Sequence, residues 1–184
     1  MIIGIAGTLG AGKGTVVEYL KTKGFSHYSS SGTLGRILEE RGESTIRENL
    51  SKLANKLSEE YLGGILEMSN QFATKAGDQN YILESIHRTK EAEYVRSIGG
   101  VILGVDADIK IRYERISKRQ EGEKDKVTFE QFVSDSKRED DGASSSGPNI
   151  KAVIAMSDYT IMNNGTLEEL HVQIEAFLVK FDLI

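Results

Sequence analysis

A glycine-rich stretch at residues 7–15, GTLGAGKGT, constrains this chain more than any other feature. It follows an apolar run at residues 1–6 and precedes an amphipathic segment that carries Val16 and Leu20. The order is therefore strand, loop and helix, which brings a row of backbone N–H groups and a helix N-terminus to one place. Lys13 adds a cation there. The pattern predicts a loop that binds phosphate groups, because a flexible turn alone would explain neither the lysine nor the flanking segments.

Short apolar runs alternate with amphipathic helical patterns along the rest of the chain. The predicted strands are residues 1–6, 25–29, 80–84, 101–105 and 159–162, and predicted helices include 45–62, 109–118, 128–140 and 167–181. Thr45 and Thr166 each precede a glutamate by three residues, which is typical of a helix-capping box. The alternation predicts a single α/β domain over residues 1–184, built on a parallel sheet with helices on both faces.

Composition excludes several classes of protein. The chain has 184 residues, a formal net charge of -5 and no cysteine, so neither a disulfide framework nor a thiolate metal site is expected. The acidic balance gives no footprint for a nucleic acid, and no apolar run is long enough to cross a bilayer. We therefore expect a cytoplasmic monomer that binds small molecules, with neither a nucleic acid nor a membrane as its partner.

Glu84 closes the predicted strand at 80–84 and Arg88 follows it, and both would lie beside the loop if that strand neighbours the first one. Arg88 is a candidate for binding a phosphate group, and Glu84 is a candidate for orienting Mg²⁺ or its waters. A second candidate anion site is the helix that opens at residues 30–32 and carries Arg36. Taken singly, Glu84 also fits an exposed carboxylate and Arg36 also fits a solvated surface arginine.

Three arginines in the second half of the chain complete the candidate set. Arg115 and Arg119 are four residues apart and share one face of a helix, and Arg138 lies on the next predicted helix. Each of them alone would be read as a surface residue. Their joint occurrence with the phosphate loop favours chemistry on a phosphoryl group, which requires neutralisation of negative charge.

These motifs resemble those of the nucleoside monophosphate kinases, most closely the adenylate-kinase branch, over nearly the whole chain. The loop at 7–15 is similar to the family's G-x-x-G-x-G-K-G-T, and SSGTLGR at 30–36 is similar to S-T-G-x-x-x-R. ESIHRT at 84–89 resembles D-G-F-P-R-T, and RISKR at 115–119 resembles R-x-x-x-R. The arginine at 138 resembles that of R-x-D-D, and NNGT at 163–166 falls where the family's loop touches the donor base.

The resemblance implies a three-layer P-loop NTPase fold with strand order 2-3-1-4-5, ATP as phosphoryl donor and Mg²⁺ as cofactor. It implies that ATP is bound by Gly7, Gly10, Ala11, Gly12, Lys13, Gly14, Thr15, Arg115, Arg119 and Asn164. The acceptor would be bound by Ser31, Gly32, Arg36 and Arg88, and catalysis would involve Lys13, Arg88, Arg119 and Arg138. Glu84 would hold Mg²⁺ through water, with Thr15 as a weaker candidate ligand.

The resemblance also implies two regions that close on substrates. Helices at 31–76 would cover the acceptor, and a short lid at 120–145 would cover ATP. The residues of the second region equally permit two ordinary surface loops around a helix.

The sequence departs from the family's pattern in the proposed acceptor wall, where Ser85 and His87 replace glycine and proline. The layout also resembles dephospho-CoA-kinase-like P-loop proteins. The expected function is ATP-dependent phosphoryl transfer to a nucleoside monophosphate. The alternatives are a small-metabolite kinase of the dephospho-CoA kinase type, and a nucleotide-switch ATPase that acts as an assembly factor.

Overall fold

The computed structural model describes residues 1–119, 127–141 and 148–183, which contain five strands and nine helices. The strands are β1 (Ile2–Gly7), β2 (Ser26–Ser29), β3 (Tyr81–Ile86), β4 (Val101–Asp106) and β5 (Tyr159–Met162). The helices are α1 (Lys13–Thr22), α2 (Ser30–Glu40), α3 (Arg47–Glu60), α4 (Ile65–Ala76), α5 (Thr89–Ser97), α6 (Ile109–Arg119), α7 (Phe129–Asp141), α8 (Ile150–Ala155) and α9 (Leu167–Lys180).

The five strands form one sheet in the order β2-β3-β1-β4-β5, and every neighbouring pair is parallel. The predicted fold class and strand order are confirmed. Strand β1 lies at the centre, so the loop that follows it leaves the carboxyl edge of the sheet between the ends of β3 and β4. That edge is where ligands bind in open α/β sheets.

Both faces of the sheet are buried, which explains why the strands read as continuous apolar runs. Successive residues of a strand point to opposite faces and enter different hydrophobic clusters. Ile82 packs with α1 and α9, whereas Leu83 packs with helices α2 to α5 and α8. Burial of each such side chain contributes about 1.5–3 kcal/mol to the free energy of unfolding.

Strand β3 runs two residues beyond its predicted end at Glu84. Ser85 has a φ of 79° and forms a bulge, so that Ile5 is paired with Glu84 while Ala6 is paired with Ile86. The prediction that Glu84 closes the strand is therefore wrong. A serine gives no sequence signal for a positive φ, and for this reason the extension past the bulge could not be predicted.

One of the two predicted capping boxes is present. The Thr166 hydroxyl accepts a hydrogen bond from the N–H of Glu169, and the Glu169 carboxylate accepts one from the N–H of Thr166. The prediction for Thr45 is wrong, because α3 begins at Arg47 and its N-cap residue, Ile46, makes no side-chain capping bond.

Helix α7 occupies the middle of the predicted lid, and residues 120–126 and 142–145 of that lid lie outside the described residues. The helix packs on α6, where the Tyr113 ring lies 5.2 Å from that of Phe129 and 5.7 Å from that of Phe132. Phe132 is buried. Among the helices in the described ranges, none combines the length and the apolar character needed to cross a membrane.

Candidate functional site

The glycine-rich loop connects β1, which ends at Gly7, to α1, which begins at Lys13. Gly10 and Gly12 have φ values of 80° and 96°, in the left-handed region that glycine adopts without a steric cost. Gly12 is the N-cap residue of α1, and no side chain caps this helix. The N–H groups of the first turn are thus left for another acceptor, and an anion at a helix N-terminus supplies one.

The loop lies tightly against three other segments. A Cβ atom on Gly7 would lie 2.3 Å from the carbonyl oxygen of Val105 in β4, and one on Gly10 would lie 2.7 Å from the carbonyl oxygen of Arg112 in α6. A Cβ atom on Gly12 would lie 2.4 Å from Asn163 Nδ2. These glycines are therefore required by packing behind the loop as well as by its conformation.

Lys13 folds back across the loop that it terminates. Its ammonium group donates hydrogen bonds to the carbonyl oxygens of Gly7 and Thr8, at 2.9 and 3.0 Å. The Thr8 hydroxyl in turn donates to Asp106 Oδ1 at 2.6 Å, and the N–H of Ala107 donates to the same oxygen at 2.8 Å. The sequence analysis did not single out Asp106, although its position at the end of an apolar run was a signal that could have identified it.

A pocket of about 170 Å³ adjoins the loop on the β5 side. Asn163 Nδ2 donates to the carbonyl oxygen of Ala11 at 2.8 Å, and the Arg115 guanidinium lies 3.4 Å from Asn163 Oδ1 and 3.5 Å from that same carbonyl. The predicted residue Asn164 instead accepts a hydrogen bond from the N–H of Asp108. The pocket is lined by Gly12, Thr15, Arg115, Asn163, Gly165, Thr166, Leu167 and Leu170.

Asn163 was missed by the sequence analysis, which selected its neighbour. The contact with Ala11 joins residues that are far apart in the chain, and the two adjacent asparagines carry the same chemical signal. Only the direction of each side chain, which depends on how β5 ends, separates their roles.

On the β3 side of the loop, Glu84 forms a hydrogen bond with His27 Nε2 at 2.8 Å. This bond is the main reason why the pKa of Glu84 is lowered, and the positive charge of Lys13 contributes in the same direction. The pKa of His87 is lowered chiefly by burial, and the charges of Lys13 and Arg88 lower it further. Glu84 is thus held ionised, and His87 neutral, beside the loop lysine at neutral pH.

Arg88 is held at the end of β3 by a buried carboxylate. Its Nη1 atom donates to Glu91 Oε1 at 3.0 Å, while Glu91 Oε2 accepts from the N–H groups of His87 and Arg88 at 2.7 and 3.0 Å. Sequence analysis missed Glu91, although an acidic residue in the first turn of a helix after a candidate arginine is a readable signal.

The remaining predicted residues lie on helices around this edge. Ser31 and Gly32 belong to the first turn of α2, where the N–H of Gly32 donates to the side chain of its N-cap residue, Ser29. Further along α2, Arg36 pairs with Glu40 at 2.9 Å and lies 4.0 Å from the Phe72 ring.

Arg119 is the last residue of α6 and is exposed, and Arg138 pairs with Asp135 of its own helix, α7. The structure therefore brings Lys13, Glu84, Arg88 and Arg115 to the loop. Arg138, in contrast, forms its ion pair with Asp135 within α7 and not with a residue of the loop.

Acidic and histidine side chains do not assemble into a metal-binding cluster of three or more within the part of the chain that the structure describes. A metal ion at this edge would take most of its ligands from bound phosphate groups and water, as Mg²⁺ does in many nucleotide sites.

Comparison with known proteins places the chain among P-loop proteins. The AAA domain family matches residues 3–140. A UPF0200 protein of Sulfurisphaera tokodaii is 31% identical over 182 residues, which cover 96% of this chain and 95% of that protein.

Solved structures of small-molecule kinases share the fold at low sequence identity. Shikimate kinase from Aquifex aeolicus has a TM-score of 0.59 at 13% identity, with 99% of this chain and 96% of that chain covered. Dephospho-CoA kinase from Campylobacter jejuni has a TM-score of 0.57 at 15% identity, with 98% and 96% covered. The chain therefore has a P-loop kinase-like fold, and it belongs to the AAA domain family and to the UPF0200 proteins.

Proposed function

We propose that this protein transfers the γ-phosphoryl group of ATP to a nucleoside monophosphate. The observation that carries the proposal is the placement of charged and open regions on opposite sides of the loop. The pocket with Arg115 lies on the β5 side, whereas Glu84 and Arg88 lie on the β3 side, and Lys13 lies between them. Donor and acceptor would bind on these two sides and bring their phosphate groups together at the carboxyl end of β1.

The donor would be bound by the N–H groups of the loop and by the Lys13 ammonium. Phosphate oxygens are stronger acceptors for this ammonium than the two loop carbonyls that it now contacts. The guanidinium of Arg115 would stack on the base in the adjoining pocket, which Thr15 also lines.

The acceptor phosphate would be bound by Arg88 and Arg36. Ser31 and Gly32, in the first turn of α2, would complete this acceptor site. Arg119 and Arg138 would offset the negative charge that develops during transfer, and for Arg138 this requires release from Asp135 and movement toward the loop.

Mg²⁺ would be held by the donor phosphates, by water on Glu84 and by the Thr15 hydroxyl. The ionised carboxylate of Glu84 suits this role, and Gly14 supplies no hydroxyl ligand after the lysine. When bound, the metal ion would neutralise charge on the transferring group.

A second acceptor class is favoured by the hydrogen bond between His27 and Glu84. A carboxylate oriented by a histidine beside the loop is suited to accept the proton of an attacking hydroxyl group. The acceptor would then be a small phosphorylated metabolite with a free hydroxyl, the type of reaction that the name dephospho-CoA kinase gives to one structural neighbour.

The test is ADP formation from MgATP with a panel of acceptors: AMP, CMP, UMP, GMP, their deoxy forms and dephospho-CoA. Strong stimulation by a monophosphate supports the proposal, and stimulation by dephospho-CoA alone supports the second class. Slow hydrolysis without stimulation by any acceptor contradicts both and favours a nucleotide-dependent switch that acts on a protein partner.

Lys13→Ala and Arg88→Ala should each lower acceptor-stimulated turnover by about a hundredfold or more, because each removes a charge that acts in the transition state. The matched controls are Lys21→Ala, on the same helix as Lys13, and Arg96→Ala, on the helix that follows Arg88. Both controls should retain wild-type turnover. An Arg88→Ala enzyme with nearly normal turnover would refute the acceptor-site assignment.

A further inference from the structure

Arg112 is a buried arginine that none of the proposed catalytic roles uses. It lies on α6, is 6% exposed, and its guanidinium occupies the space between the glycine-rich loop and α7. Its Nε atom donates to the carbonyl oxygen of Ala107 at 3.1 Å, and its Nη1 atom lies 3.5 Å from the carbonyl oxygen of Leu9. The guanidinium carbon lies 5.8 Å from the centre of the Phe132 ring.

Packing alone does not account for a charged side chain at this position. A buried guanidinium loses its hydration, and this loss is compensated only where carboxylates or carbonyls surround it. Asp106 Oδ1 lies 3.8 Å from Arg112 Nε, so the charge is balanced by a carboxylate that also accepts hydrogen bonds from Thr8 and Ala107. An apolar side chain of similar length would fill the same space without these contacts.

The contact with Leu9 has a consequence for the next N–H group of the loop. A peptide unit is planar, and in its trans form the C=O and N–H bonds point in opposite directions. Because the Leu9 carbonyl is directed toward Arg112 behind the loop, the N–H of Gly10 is directed away from Arg112, into the loop.

The same arrangement recurs two residues later. Asn163 donates to the Ala11 carbonyl from outside the loop, and this directs the N–H of Gly12 inward. Side chains outside the loop therefore hold alternate carbonyls, Arg112 that of Leu9 and Asn163 together with Arg115 that of Ala11. Both of the N–H groups that they orient belong to the glycines with positive φ.

We propose that Arg112 is a positioning residue for the donor phosphates. It holds the Leu9–Gly10 peptide with the N–H of Gly10 directed into the loop before any nucleotide binds, and the Phe132 ring covers its guanidinium. The inference rests on the proposed donor site but requires no acceptor. Arg112 acts through the loop's N–H groups, which would bind the phosphates of ATP. The arginine itself makes no direct contact with phosphate.

The test compares binding of MgADP and of tripolyphosphate to the full chain, measured by calorimetry, in the wild type and in Arg112→Met. Methionine keeps an apolar stem against Phe132 and removes the charge. Both probes should bind about tenfold more weakly, which is the scale of one charge-assisted contact. In the ligand-free protein, the amide resonance of Gly10 should shift, and this readout reports a change around the Leu9–Gly10 peptide without any ligand.

Arg112→Lys provides a second variant if methionine prevents folding, which a thermal melt by circular dichroism would reveal. Lysine keeps the charge but lacks the fork that reaches both carbonyls, so it should also weaken MgADP binding and shift the Gly10 resonance. The control is Arg96→Met. Arg96 pairs with Asp158 and with the Met156 carbonyl away from the loop, and its loss should leave both readouts unchanged.

An affinity for MgADP within twofold of the wild type, together with an unmoved Gly10 resonance, would overturn the role of Arg112 while leaving the proposed function intact. An equal loss in Arg96→Met would overturn it as well, because the effect would then be one of general stability. A wild-type protein that binds neither MgADP nor tripolyphosphate would instead contradict the proposed donor site, and the role of Arg112 would be overturned with it.

Discussion

At the scale of single residues, Ser85 shows how a local departure from a motif becomes intelligible in three dimensions. The motif that this segment resembles has glycine at this position, and the structure gives Ser85 a φ of 79°. Residues other than glycine rarely adopt a positive φ, and holding one in this conformation stores conformational strain. The strain lies in the wall of the proposed acceptor site, between Glu84 and His87.

Ser85→Gly should raise the free energy of unfolding by about 1 kcal/mol, since glycine adopts the positive φ without strain. Urea denaturation of the purified protein measures the change. Ser51→Gly is a matched control on the exposed face of α3, where glycine should cost about 0.5–1 kcal/mol. A Ser85→Gly protein that is less stable than the wild type would show that the serine hydroxyl contributes more than the strain removes.

The residues that could be predicted are those whose signal is local. Lys13 and the glycines of the loop are recognisable because an apolar strand directly precedes the loop and an amphipathic helix directly follows it. The positions of Asp106 and Glu91 carry a local signal, but the roles of Asp106, Asn163 and Glu91 depend on which backbone group each side chain meets, and no local pattern states that.

At the scale of helices and strands, the two threonine capping motifs separate a sequence pattern from its use. Thr166 caps α9 through its hydroxyl, whereas α3 begins two residues after Thr45 and without a side-chain cap. The side chain of Asn49 in α3 donates instead to the carbonyl oxygen of Ser44, in the segment that leads into the helix. A four-residue motif therefore indicates a possible helix start, and the path of the preceding chain decides whether it is used.

Thr166→Ala should lower the free energy of unfolding by about 1 kcal/mol, the usual cost of losing an N-cap hydroxyl. Thr45→Ala, which removes the same group from the same sequence pattern, should change it by less than about 0.5 kcal/mol. Chemical denaturation of the two variants side by side measures both values. Equal losses would mean that Thr45 also caps α3 in solution.

At the scale of the whole molecule, the alternation of strands and helices predicted a parallel sheet with helices on both faces, whereas the strand order was predicted from the resemblance to the nucleoside monophosphate kinases. The candidate site was predictable only as a set of separate residues. Arg88 and Arg115 come to one edge of the sheet because β3 and β4 flank β1, but no local pattern states that Glu91 holds one of them and Asn163 contacts the other. Long-range contacts of this kind are a property of the completed fold.

MgADP should stabilise the whole domain if the donor site is as proposed. At about one hundred times its dissociation constant, a ligand that binds only the folded state adds about 2.7 kcal/mol, which raises the Tm of a domain of this size by about 5–10 °C. Thermal melts at increasing MgADP concentration measure the shift, with Lys13→Ala as the variant that should show a smaller one. A Tm that does not respond to MgADP would contradict the donor site.

The hydrogen bond from Asn163 to Ala11 joins residues that are 152 positions apart. During synthesis on a ribosome, the glycine-rich loop emerges well before Asn163, the residue that orients its Gly12 N–H group. An incomplete chain therefore carries the nucleotide motif without the support that gives the motif its shape. The order of synthesis thus delays the supported form of the loop until Asn163 has been made.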